Sequence, residues 1–151
     1  MVYQLMKRSD DGEIPEILSV YSLPSVSRFI SIDEGNYWNY ATSTDHVFFY
    51  KIYQDDALAA TAHLELADRV LSMDVVVFPQ YQRKGMATRI VKDIQEGKLG
   101  PEFDRIRVFI DEKNTASLRL FQKAGFVCVG KEEELCEYVF EKRSCAGIRP
   151  V

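Results

Sequence analysis

The 151-residue sequence predicts a mixed α/β domain, a mainly antiparallel sheet with helices on both faces. Three observations lead there. Residues 47–53 (Val-Phe-Phe-Tyr-Lys-Ile-Tyr) are a β-branched and aromatic run, and the apolar runs 58–66 and 70–78 follow it through short turns, Gln54-Asp55-Asp56 and Ala67-Asp68-Arg69, the pattern of an antiparallel meander. The third run is stopped by Pro79 and followed by a polar turn and a helical period at Met86, Ile90, Val91 and Ile94. A strand at 106–110 then completes a β-α-β crossover, so a mixed sheet results.

Along the chain, residues 2–8 alternate and predict a first strand. Ser9-Asp10-Asp11 supplies cap residues for a helix carrying Ile14, Ile17, Leu18 and Tyr21, with Pro15 in its first turn and Pro24 at its end. Residues 25–32 predict a second short helix, and 33–45 a loop or short helical turn rich in aromatic rings. After the meander, the helix from Met86 runs to about Lys98, ending near Gly97 and Gly100 with Pro101 beyond. Residues 114–124 form an amphipathic helix closed by Gly125. Residues 126–129 and 138–140 read as the last strands. The order is β-α-α-β-β-β-α-β-α-β-β, a single domain over 1–141, with a frayed tail over 142–151.

The composition is that of an ordinary globule whose length suffices for a core without metal or disulfide support. No apolar run approaches a membrane span, and the first residues lack a signal-peptide core. Three cysteines, Cys128, Cys136 and Cys145, match no zinc spacing, so a reduced, cytoplasmic setting is expected. Cys128 and Cys136 read as small core hydrophobes on neighbouring strands, and Cys145 as an exposed thiol. The net charge of −4 and the lack of a basic stripe disfavour nucleic acid as a partner. Neither monomer nor homodimer is favoured.

Chemistry concentrates at the strand–turn–helix of 75–92. The first N–H groups of a helix have no internal acceptor, so a strand feeding a Gly-containing turn into a helix makes an anion cradle. The first turn, Met86-Ala87-Thr88-Arg89, carries no acid, and Arg83 and Lys84 lie just upstream, which leaves the positive helix end free for phosphate. The spacing Gln82-x-x-Gly85-x-Ala87 resembles the pyrophosphate loop of the GCN5-related N-acetyltransferases. A second block, Asn114-x-x-Ser117-x-x-Leu120-Phe121-x-Lys123-x-Gly125-Phe126, resembles that family's other signature. The two blocks are correctly ordered, separated by one helix and one strand, and the element order matches the family over nearly the whole chain.

The resemblance implies transfer of an acetyl group from acetyl-CoA to a primary amine of a small molecule or protein. It implies that Gln82, Arg83, Lys84, Gly85, Met86, Ala87 and Thr88 hold the pyrophosphate. It also implies that backbone on Val75, Val76 and Val77 polarises the thioester, and that Asn114 and the position of Phe121 meet the donor's arm. The sequence departs from the family twice. Phe121 stands where many relatives carry a tyrosine that protonates the leaving thiolate, and Met73 where many carry a glutamate base. Loss of catalysis, leaving an acyl-CoA sensor, is therefore the alternative.

Substitute bases must come from nearby strands. Glu65 and Asp74 are the candidates. His63 shares a face with Glu65, and Asp74 is expected to point away from the Met73 side unless a bulge intervenes. Tyr40 and Tyr138 are candidate proton donors. Asp111 and Glu112 read as loop or capping acids. Trp38 and Tyr40 are candidates for an acceptor slot, and packing of these rings against Phe48, Phe49 and Tyr50 is the competing expectation.

Overall fold

The computed structural model describes residues 1–33 and 35–142, which form, in chain order, β1 (Val2–Leu5), α1 (Ile14–Tyr21), α2 (Pro24–Ser27), α3 (Tyr37–Ser43), β2 (Val47–Gln54), β3 (Ala57–Ala67), β4 (Val70–Val77), α4 (Met86–Gln95), β5 (Arg105–Asp111), α5 (Thr115–Lys123), β6 (Val127–Glu132) and β7 (Leu135–Glu141). The expected order holds with one addition. Residues 37–43, expected as loop or turn, form the extra helix α3, because Trp38 and Ala41 bury one side of it. Pro24 does not merely follow α1. It occupies the first turn of α2, which is four residues long and ends at Ser27, well short of Ile32. Of the predicted tail, Lys142 is tied by its N–H to the Asp104 carbonyl at 2.9 Å, and the rest, with Cys145, lies outside the described residues.

One sheet runs in the order β1-β2-β3-β4-β5-β7-β6. All neighbours are antiparallel except β4 and β5, which pair in parallel through only three registers, Val70↔Arg105, Leu71↔Ile106 and Ser72↔Arg107. Beyond Ser72 the two strands part. This seam is the feature that positions the site.

Alternation along β3 and β4 assigns the two faces. Ala60, Ala62, Leu64, Leu71 and Met73 meet Met86, Ile90 and Ile94 of α4 and Phe121 of α5 in the larger core. On the opposite face Phe49, Val47 and Val76 pack under α1, α2 and α3 with Ile17, Val26 and Trp38. Lys51, only 7% exposed, crosses to Asp11 (2.7 Å) and Glu13 (2.9 Å) and so ties the start of α1 to β2. Burial opposes the charge on Lys51, but hydrogen bonds to both carboxylates outweigh it and raise its pKa. On α4, Asp93 accepts from the Tyr3 hydroxyl at 2.5 Å and pairs with Arg89, joining the helix to β1.

Gly100 closes the core beside α4. Its φ of +83° lies in the left-handed region, its N–H donates to the Tyr50 hydroxyl at 3.0 Å, and a Cβ there would stand 2.7 Å from the buried Leu64 Cδ1. Gly100→Ala combines a left-handed penalty with overpacking, for an expected loss of about 2–4 kcal/mol. Denaturant unfolding, read as a fall in midpoint at unchanged slope, measures it.

Cys136 is half-buried and Cys128 is exposed. They lie on paired strands as expected, but β6 is an edge strand exposed along its length, so Cys128 is not a core residue. Among the described residues, no helix is long and apolar enough to cross a membrane, and no group of three His, Cys, Asp or Glu is placed to hold a metal ion.

Candidate active site

Where β4 and β5 part, a cleft of about 590 Å³ opens through the sheet. One wall is the freed length of β4, Met73–Val77, running into the turn at 81–83 and the first turn of α4. The other is β5 from Val108 to Asp111 with Asn114, Ser117 and Phe121 of α5 and its cap. Of the predicted donor-binding residues, Val75, Val76, Val77, Gln82, Arg83, Gly85, Met86, Ala87, Thr88, Asn114 and Phe121 all line this one cleft. Lys84 does not.

The turn into α4 is built for exposed backbone. Pro79 ends β4 in a single 3₁₀ turn, and the Gln82 side-chain amide donates to the Val77 carbonyl at 2.9 Å, pinning the turn to the strand end. Arg83 (φ +61°) and Gly85 (φ +81°) then take left-handed conformations. Gly85 caps α4 without a side-chain hydrogen bond, and no acid lies in the first turn. Among the described residues, the N–H groups of Arg83 to Thr88 find no backbone acceptor; the first bond of the helix is Arg89 to the Gly85 carbonyl. A row of free N–H groups at the positive end of a ten-residue helix attracts an anion. Asn114 caps α5, its side chain accepting from the Ser117 N–H at 3.3 Å.

On the α3 face of the sheet the cleft adjoins a notch of about 150 Å³, with which it shares Met73, Asp74, Val108 and Phe109 as walls. It is lined by His63, Glu65, Ser72, Met73, Asp74, Arg107, Val108 and Phe109. The β3–β4 register runs from Ala60↔Val77 to Ala67↔Val70 without a shift, so no bulge intervenes. Asp74 therefore stands opposite His63, on the face away from the α4 core and on the same face as Glu65. The bases expected from sequence thus converge. Met73, 6% exposed, lies between the core and the notch and supplies no proton acceptor.

A hydrogen-bonded row backs the notch. The Tyr37 hydroxyl meets His63 Nδ1 at 2.5 Å, His63 Nε2 lies 3.5 Å from Glu65 Oε1, and the Tyr40 hydroxyl donates to the same Glu65 oxygen. A phenol at Nδ1 and a carboxylate at Nε2 suit the tautomer that carries its proton on Nε2. Burial, reinforced by nearby Tyr21, Asp74 and Glu65, raises Tyr37, and the Glu65 hydrogen bond raises Tyr40, so both phenols keep their protons at neutral pH. The Asp74 side chain is exposed to solvent at the mouth of the notch, and the protein crowding around its carboxylate partly desolvates it. That desolvation, with Glu65 beside it, raises its pKa above the ordinary carboxylate range, while His63 acts in the opposite sense.

Two sequence expectations are corrected. Trp38 does not line the cleft: it is 6% exposed and packs edge-on against Phe49, with ring centroids 5.1 Å apart. Tyr138 is a core residue of β7 whose hydroxyl accepts from Gln122 Nε2 at 2.9 Å, so it does not face the cleft. Glu112 pairs with Lys131 outside the cleft, whereas Asp111 lines it while accepting from the Lys113 N–H. Tyr40 reaches the site only through Glu65. Missing from the sequence reading were Arg107 and Phe109. Arg107 and Phe109 alternate outward on β5, and that alternation was the available signal.

The mainly antiparallel sheet thus parts between β4 and β5, with a row of free N–H groups beside the opening. The model of the acetyltransferase (GNAT) family matches residues 15–126, and the chain belongs to that family. Comparison with curated protein sequences gives no match. Among solved structures, the chain is similar to spermidine N-acetyltransferase from Vibrio cholerae in complex with CoA and spermine. That likeness has a TM-score of 0.75 and 13% identity, covering 93% of this chain and 95% of that one. It is also similar to the Campylobacter jejuni N-acetyltransferase PseH in complex with acetyl coenzyme A, with a TM-score of 0.73, 10% identity, and coverage of 93% and 99%. A GNAT-family acetyltransferase from Streptococcus pneumoniae gives a TM-score of 0.68 at 17% identity, over 91% and 95%.

Proposed function

We propose that the protein is an acetyl-CoA-dependent N-acetyltransferase acting on a primary amine. The observation that carries this is the continuity of the cleft. The free N–H groups at Arg83–Thr88 open at one end of it and the His63–Glu65–Asp74 group at the other, with the parted strands between. When bound, acetyl-CoA supplies an activated thioester.

The chain's own residues divide the remaining work. Gln82 holds the turn, and the N–H groups of Arg83 to Thr88, with Gly85 giving close access, face the pyrophosphate; Lys84 adds only nearby positive charge. The backbone of Val75 to Val77, unpaired towards β5, offers donors to the thioester oxygen. Asn114 and Phe121 border the donor's arm. Asp74 takes one proton from the acceptor's ammonium group so that the nitrogen lone pair attacks the thioester carbon. The carbon–sulfur bond breaks, and the proton shed as the amide forms goes to the departing thiolate. Glu65, fixed by Tyr40 and His63, supports the charge on the acceptor. Proximity along the cleft supplies much of the rate, so the absence of a phenol at Phe121 does not prevent turnover.

Calorimetric titration with acetyl-CoA, followed by a thiol-release assay over a set of amines, tests this reading. Saturable one-to-one binding and amine-dependent thiol release are expected. Binding without transfer to any amine would favour the acyl-CoA-binding module instead, and absence of binding would remove both.

A further inference from the structure

We propose that the acceptor is a small zwitterion, an α-amino acid or a close analogue, whose ammonium group is held by Asp74 and whose carboxylate is held by Arg107. The inference rests on the acetyltransferase reading above and names the substrate class of that same site.

Two opposite charges face one small notch without pairing. Glu65 is already engaged by Tyr40 and His63. The Asp74 carboxylate, by contrast, accepts no hydrogen bond and makes no ion pair among the described residues, and neither does the Arg107 guanidinium, although both line the notch. The other cations nearby are satisfied: Arg105 pairs with Glu141, and Arg69 with Asp104 at 3.0 Å. Arg107 stands in register with Ser72, at the last pairing before the strands part, so its side chain shares the face that carries Glu65 and Asp74. Its guanidinium lies 5.6 Å from the centroid of the Phe109 ring, which steadies its plane for two-pronged binding of a carboxylate.

The ligand complementary to an open pair of opposite charges carries both charges itself, a short distance apart. A diamine would bring its second cation against Arg107. A carboxylate-bearing amine satisfies both groups and turns its nitrogen towards the cleft, where Asp74 serves both surfaces. Phe109, 55% exposed at the rim, offers apolar contact to a side chain.

The test measures thiol release with α-amino acids, their methyl esters and unbranched diamines, for the wild type, Arg107→Gln and Arg107→Lys. The readout is the ratio of kcat/KM for each free acid to that for its ester, compared between proteins, so the differing basicity of the two amines cancels. Arg107→Gln is expected to lower that ratio about tenfold or more by raising KM for the free acids, with Arg107→Lys retaining part of it. An unchanged ratio, or diamines preferred by the wild type, would overturn the inference while leaving the acetyltransferase reading in place. No acetyl-CoA binding by calorimetry would overturn both. Arg107 is exposed, so its replacement leaves the core intact.

Discussion

Gly85→Asp is expected to abolish acetyl-CoA binding in calorimetry while the protein remains folded. Gly85 sits at φ +81° at the head of α4, where a side chain is strained by about 1 kcal/mol, and aspartate tolerates that region better than most residues. A Cβ there meets no heavy atom within 4 Å, so no clash accompanies the change. The lost affinity therefore comes from charge. A carboxylate would enter a stretch where six successive N–H groups stand free, and would repel the diphosphate while capping those donors itself. A fall of about a hundredfold or more is expected, with Gly85→Ala far milder. A variant that binds as the wild type does would remove the turn from the site. Unchanged thermal unfolding, measured alongside, excludes a loss caused by misfolding.

Asp74→Asn is expected to lower kcat by about a hundredfold or more, with acetyl-CoA binding preserved, since positioned bases contribute on that scale. The pH profile makes the test sharper. A base acts when deprotonated, so wild-type activity falls as pH drops through the Asp74 value, which lies above the ordinary carboxylate range. That acid limb should vanish from the residual activity of the variant. The charged and titratable neighbours are His63, Glu65 and Arg107 around the notch, with Tyr37 behind His63 and Tyr40 on Glu65. His63→Asn therefore serves as a control: a limb that survives Asp74→Asn but disappears with His63 would assign the proton to the imidazole.

The strand–turn–helix at 75–92 and the helix cap at Asn114 were legible because backbone conformation there depends on local residues. Pro79 stops a strand, Gly85 takes a left-handed turn, and Asn114 caps a helix wherever they occur. The alternation rule also placed Asp74 away from Met73 correctly. How that face reaches the cleft was not legible, because the parting of β4 from β5 arises between strands more than thirty residues apart. Trp38 and Tyr138 failed for a different reason. An aromatic ring with a polar atom suits a core or a pocket equally, and only the packing of α3 over Phe49 and of α5 against β7 decides. The helix at 37–43 was missed because its burial comes from β2, not from its own propensity.

The three-register join between β4 and β5 also bears on how the molecule assembles and where it breathes. Strands β1 to β4 form one meander-built half, and β5, β7 and β6 form the other, each held by antiparallel neighbours. Among the described residues, the pairing of Val70–Ser72 with Arg105–Arg107 is the only ladder that spans the two. Each half is completed by chain segments close in sequence, so the long-range ladder between them is expected to close later than either. Amides at this join should exchange with solvent ahead of those in the centre of β3, which has a full partner on each side. The gap proposed to receive ligands thus also lies on the boundary between the two halves of the sheet, and a molecule spanning it would fasten them together.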